Sequence, residues 1–367
     1  MHFSTAFRAL LLFPITHVLG GPIAHVTTRQ NQTSTPQCTE ETAIQRKEWS
    51  SMTEFERLAF VNAVECLMNQ PPEWDVPGST SAYDDFVATH IRVTTSVHLN
   101  GVFLSWHRHF EHLLEGQLHD KCGYPGYLGL PYWDYPLYLD RPLNQSLLFD
   151  GTPDSLGSDG TFIPNREPIE VTPEWDANLQ FPHGPTLPRG SGGDCTYTGP
   201  FANTTVSFGP IPRSVIPTGL PVNWTQPNPH CLVRDLNDYF LRLLNNATAI
   251  ENLLASEDIR EFQTRLEPIH QGGHLTIGGA MQDFFTSPQD PIFWLHHTNL
   301  DRLWSIWQAE DPARRFQFNG TSTYLNPVGY TPEVNNDTQI TYPVLGENIT
   351  LGDASNPMAG RYCYVYV

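Results

Sequence analysis

Basic residues are scarce in this chain: 20 Lys and Arg stand against 39 Asp and Glu, for a formal charge of −19. That balance argues against a nucleic-acid or anionic-membrane partner, because both require clustered positive charge. Beyond the N-terminus no apolar run approaches the length of a membrane span. Cys-x-x-Cys is missing, which removes zinc knuckles and thioredoxin-type redox sites. No internal repeat is present.

The chain has ample material for a core. Of its 367 residues 39% are hydrophobic, with nine Trp, 20 Phe and 14 Tyr, enough for one large domain or two modest ones. Its 27 Gly and 32 Pro are spread along the sequence and predict long loops between helices, not disorder. At the N-terminus Arg8 precedes the apolar run Ala9 to Phe13, and the small residues Gly20, Gly21 and Ala24 follow. This resembles a signal peptide over residues 1–20, ending between 20 and 24. Asn-x-Ser/Thr sequons at Asn31, Asn144, Asn203, Asn223, Asn246, Asn319, Asn336 and Asn348 agree with secretion. So do six widely spaced cysteines, Cys38, Cys66, Cys122, Cys195, Cys231 and Cys363, read as three disulfides among 15 pairings. The expected product is secreted and N-glycosylated, with the vacuole or cell wall as other destinations.

Helical periodicity runs from Glu48 to Gln70, with Ser51 or Thr53 as N-cap and Pro71-Pro72 as the stop. Ser81 to His90 predicts a second, shorter helix, His98 to Phe103 a loop, and Trp106 to Cys122 a third helix ended by Gly123. Residues 123–230, dense in Pro, Gly, Ser and Asp, predict a disulfide-tied excursion and no second domain. Helices resume at Leu232–Leu244, Ala247–Ala255, Ile259–Leu266, Pro268–Leu275 and Phe293–Gln308, before a tail of loop and short strand.

The histidines carry the chemistry. His270 and His274 stand at the spacing that sets two imidazoles side by side on a helix. Alone this is weak, since roughly one such pair is expected by chance among so many histidines, and Gly272 and Gly273 lower the local helix propensity. In Asp290 to Trp304, the paired His296 and His297 precede Asp301, which four residues on shares the face of His297 and could orient it. Upstream, His90, His98 and His107 form a second trio. Two trios, each divided between neighbouring helices, predict two facing metals in a helical bundle. All-imidazole ligation suits copper, zinc, iron or nickel and disfavours magnesium and calcium.

The stretch from His98 to Arg108, HLNGVFLSWHR, resembles the copper-A motif of tyrosinases and catechol oxidases, and Asp290 to Asp301, DPIFWLHHTNLD, resembles their copper-B motif. Leu130 to Asp134 extends the likeness, which runs from about Cys38 to Tyr366. It implies one copper catalytic domain over 38–367: mainly α, a four-helix bundle core with long loops and few short strands. It implies a binuclear type-3 site of two copper ions held by His90, His98, His107, His270, His274 and His297, with dioxygen as co-substrate and small phenols as substrates. His297, not His296, is the implied ligand. Glu267 resembles the glutamate that holds a water near the site and helps deprotonate a phenol. Gln271 and Leu275 follow the copper-B ligands, where the family lines its substrate entrance, and Phe284 and Phe285 offer an aromatic gate. Gln271 stands where monophenol-hydroxylating members often carry Asn, which argues against efficient monophenol hydroxylation.

Other departures are specific. Ser96 replaces the cysteine that forms a thioether in several members, so no thioether is expected through that position. Glu111 stands where the family is usually apolar and is read as exposed, as are His109, His112 and His119, unless they back the ligands. Past Tyr362, Tyr364 and Tyr366 no shielding domain is expected, as in short secreted fungal members, and the product is expected as a monomer or weak dimer. The reading is an oxidase of o-diphenols, with monophenols and o-aminophenols as further candidates. Its rivals are a secondary-metabolism tailoring enzyme for one phenolic, a redox-inert dizinc enzyme and an oxygen carrier.

Overall fold

Thr53 opens the first helix. Its hydroxyl accepts the Glu56 N–H while the Glu56 carboxylate accepts the Thr53 N–H, a reciprocal cap that starts α1, Glu54–Asn69. The computed structural model describes residues 38–170, 186–327 and 332–367. The expected leader and the Asn31 sequon lie outside them. Helix α2, Ala82–Val97, is longer than the expected Ser81–His90. Its second half is β-branched and a poor helix former. Burial of Ile91, Val93 and Val97 overrides that propensity, and the Thr94 hydroxyl donates to the His90 carbonyl (2.6 Å). Helix α3, Phe103–Cys122, ends where Gly123 turns left-handed (φ 65°) and returns its N–H to Leu118.

After the excursion come α4, Asp238–Leu244, α5, Ala247–Leu254, α6, Ile259–Ile277, α7, Gly279–Gln282, and α8, Ile292–Glu310. The segment from Leu232 to Asn237, expected as helix, is not helical. Conversely, α6 runs unbroken through Pro268, where two helices were expected. The glycines that weaken it locally are demanded by packing. A Cβ on Gly272 would meet the Asn245 side chain at 2.1 Å, and one on Gly273 the His296 ring at 2.2 Å. Helix α6 therefore approaches α4 and α8 more closely than any side chain permits.

Helices α2, α3, α6 and α8 form the bundle, with α1 packed on α3. Its core is aromatic: Trp106, Phe110, Phe293 and Trp294 are buried and linked through ring contacts. The cysteines pair as Cys38–Cys363, Cys66–Cys122 and Cys195–Cys231, leaving none for a thioether. Two strands, β1 (Ile44–Arg46) and β2 (Tyr364–Tyr366), run parallel with Ile44 opposite Tyr364 and Arg46 opposite Tyr366. Among the described residues no helix is long and apolar enough to cross a membrane.

The pairing of β1 with β2 delivers Arg46 into a buried charge cluster. Its guanidinium reaches Glu115 (3.0 Å), Glu111 (3.0 Å) and Asp301 (3.4 Å), while Arg108 and the hydroxyls of Tyr364 and Tyr366 also bond Asp301. Glu111, expected on the surface, is 1% exposed. Three carboxyls face two guanidiniums here. Burial, and then the neighbouring Asp301 charge, push Glu111 well above its ordinary value despite Arg46. A protonated Glu111 leaves the cluster neutral. Its stabilising contribution is complete below the usual glutamate value and is lost as pH rises toward the displaced one. Glu111→Gln, which keeps the shape without the proton, should therefore lose less stability than the natural chain as pH rises above the usual glutamate value. Urea midpoints across that range check it; parallel slopes for the two proteins would refute a protonated Glu111.

Candidate metal centre and substrate cleft

Four elements aim imidazoles at one place. His90 lies in α2 and His98 caps its end, His107 is one turn into α3, His270 and His274 share a face of α6, and His296 and His297 enter from α8. They form two groups, His90, His98, His107 and His270, His274, His296, His297; within each group the nitrogens lie within 4.8 Å of one another. The groups face each other, with the His107 and His297 rings stacked at 4.3 Å and those of His98 and His270 at 6.0 Å.

The backbone sets the tautomers. The Nδ1–H of His90 donates to the Phe285 carbonyl (2.7 Å), that of His98 to Thr94 (2.9 Å), that of His107 to Phe103 (2.9 Å) and that of His274 to Met281 (2.7 Å). A ring whose Nδ1 carries the proton has its lone pair at Nε2. The Nε2 atoms of His90, His107 and His297 are buried with no hydrogen-bond partner. Burial lowers His90 to about 4, and burial together with the neighbouring histidines lowers His98, His107, His274 and His297 well below the usual imidazole value. These rings are neutral at pH 7. Unpartnered neutral imidazole nitrogens in a dry interior are costly unless something accepts their lone pairs. A metal pair fits that donor set, and the same donors suit copper.

The remaining expected residues separate. Glu267 is half-buried, takes a hydrogen bond from Gln271 Nε2 (2.7 Å) and stands 3.6 Å from His270 Nδ1. With His98, His270 and His274, the residues Glu267, Gln271, Leu275, Met281 and Phe284 line one cleft. Phe284 faces it, its ring 5.0 Å from His98. Phe285 does not: it is 1% exposed, and its part is the carbonyl that fixes His90. Asp301 makes no hydrogen bond to His297 among the described residues; the Arg46 and Arg108 guanidiniums and two tyrosines take its oxygens instead. On the helix that carries His107, His109 is buried against the Tyr362 hydroxyl (2.9 Å), while His112 and His119 are half-buried.

Sequence reasoning missed three participants. Phe103 packs between the groups, 4.5 Å from the His107 ring and 4.7 Å from that of His270; its place inside the HLNGVF stretch was the available signal. Tyr135 reaches in from the excursion to His296 Nδ1 (2.8 Å). Arg213, on a 3-10 turn at Arg213–Thr218, lines the cleft and lies over Phe284 (4.7 Å), and no sequence pattern marked it.

The family description "Common central domain of tyrosinase" matches residues 80–310, more than half of the chain. Tyrosinase P of Aspergillus terreus is 42% identical over 88% of this chain and 91% of its own length. N-acetyl-6-hydroxytryptophan oxidase of Emericella nidulans is 37% identical over 90% of this chain and 94% of its own. A solved polyphenol oxidase from Thermothelomyces thermophila, a point mutant, superposes with a TM-score of 0.80 at 37% identity, covering 90% of this chain and 91% of that one. With two facing histidine groups on a four-helix bundle and these relatives along most of its length, the chain belongs to the tyrosinase family of type-3 copper oxidases.

Proposed function

We propose that the chain is a copper oxidase that uses dioxygen to convert o-diphenols to o-quinones. The observation that carries this reading is the pair of facing histidine groups, with buried, unpartnered Nε2 atoms, beside a cleft that His98, His270 and His274 line. His90, His98 and His107 would hold one copper, and His270, His274 and His297 the other. His297 is preferred to His296 because its ring stacks on His107 across the centre, whereas His296 lies back against Tyr135 and Gly273. A bound copper pair would supply a one-electron couple at each metal, so that each diphenol gives up two electrons and two protons, and two diphenols oxidised to quinones reduce one dioxygen to two waters.

The protein's own part is to place and deprotonate. The cleft admits a flat ring beside Phe284, and Leu275 and Met281 keep its apolar edge dry. Glu267, oriented by Gln271, takes up a phenolic proton directly or through one water. The neutral imidazoles add no positive charge of their own, leaving the metals' charge to attract the phenolate.

Entry into the secretory route is part of the proposal. Three disulfides suit an oxidising compartment, and the sequon asparagines Asn144, Asn203, Asn223, Asn336 and Asn348 are exposed. One relative is an oxidase of a single N-acetylated hydroxytryptophan. That favours a second reading, a tailoring enzyme for one elaborate phenolic. Metal content and oxygen uptake decide. The proposal expects about two coppers per chain and oxygen consumption with 4-methylcatechol. Stoichiometric zinc without oxygen uptake would sink it, and turnover of elaborate phenols alone would select the tailoring reading.

A further inference from the structure

We infer that Arg213 makes the cleft selective for phenols bearing a carboxylate on the ring substituent that points away from the histidines. The inference rests on the oxidase reading for the identity of the ring and adds what the far end of that ring carries.

The geometry is short and directional. Arg213 lines the same cleft as His98, His270 and His274. Phe284 touches both, its ring 5.0 Å from that of His98 and 4.7 Å from the guanidinium. In our proposal, a substrate ring placed beside Phe284 with its hydroxyls toward the histidines brings its ring substituent within reach of Arg213, which lines the same cleft. The cation–π contact holds the guanidinium beside Phe284 without using its N–H donors. Among the described residues those donors meet no carboxylate or carbonyl.

The neighbouring acid is already engaged. Asp283 accepts the N–H groups of Ile211, Phe285 and Thr286 and makes no ion pair with Arg213. Glu267 is held by Gln271. In a chain of net charge −19, a half-buried arginine without an anion at the mouth of an active-site cleft is a receptor for one brought by the ligand. A carboxylate meets the planar fork with two parallel hydrogen bonds, which an ester or an ammonium cannot do.

The copper-loaded full chain tests this with 3-(3,4-dihydroxyphenyl)propionate and its methyl ester. The acid is expected to have a kcat/KM about tenfold or more above the ester, carried by KM and shrinking with salt. Arg213→Gln should bring the two together, Arg213→Lys should keep part of the preference, and Arg213→Glu should reverse it in favour of dopamine. Calorimetry with 3-phenylpropionate and its methyl ester, which cannot be oxidised at the ring, repeats the comparison without turnover. A wild-type preference in binding that Arg213→Gln abolishes supports the inference even if no catechol is oxidised, in which case the oxidase reading alone falls. Equal acid-to-ester ratios in wild type and Arg213→Gln, in turnover and in binding, would overturn it.

Discussion

Alanine at His107 or at His297 is expected to remove copper and oxidase activity together. Each substitution would leave its copper with two imidazoles, and the loss should exceed the ~100-fold that removing an outer hydrogen-bond partner costs a metal site. Because His107 and His297 stack across the centre, 4.3 Å apart, either deletion also removes the wall against which the other rests. His296→Ala is the informative comparison. Its ring is backed by Tyr135 and Gly273, so this variant should still bind two metals, with affinity reduced only within about 10- to 100-fold. Copper per chain and oxygen uptake, measured on all three, separate the assignments. If His296→Ala lost a copper while His297→Ala kept both, the ligand set proposed here would be wrong.

Asp301→Ala should be the most damaging substitution outside the histidines. It strips the counter-charge from Arg108 and part of it from Arg46, both fully buried, and leaves the Tyr364 and Tyr366 hydroxyls without their acceptor. Removing one member of a buried charge pair costs about 3–5 kcal/mol. Burial alone would raise the Asp301 carboxyl, yet Arg108 and then Arg46 hold it below its usual range. Its contribution is therefore present above the unfolded value, near pH 4, and is lost as pH falls through the lower folded one. The gap in urea midpoint between natural chain and variant should be widest near neutrality and close in acid. A gap that stays constant to low pH would contradict this assignment.

How much of this is legible in the sequence depends on how local the cause is. The Thr53 cap, the Gly123 stop and the histidine spacings are written within a few residues, and the sequence shows them directly. The fusion of two expected helices through Pro268 is hidden, because its cause lies in Asn245 and His296, which press on Gly272 and Gly273 from other parts of the bundle. In the sequence those glycines look like weakness in a helix, where packing makes them the condition of close approach. Glu111 misleads for the same kind of reason: a glutamate on an amphipathic helix reads as surface until Arg46 arrives from a strand 65 residues away. Asp301 stands on the expected helix with a different partner, since the turn spacing to His297 is visible and the reach of Arg108 and Tyr364 is not. Arg213 sits in a loop-rich excursion where no periodicity marks direction.

The pairing of β1 with β2 also sets an order of assembly. Arg46 is made early, the histidine helices follow, and Tyr364 and Tyr366 emerge only well after His297. Until they do, Asp301 lacks two of its hydrogen bonds and β1 has no partner strand. A growing chain can therefore collapse its helices while the charges behind α3 and α8 are still open to water. The charge cluster behind the histidine helices is therefore complete only once the closing strand docks.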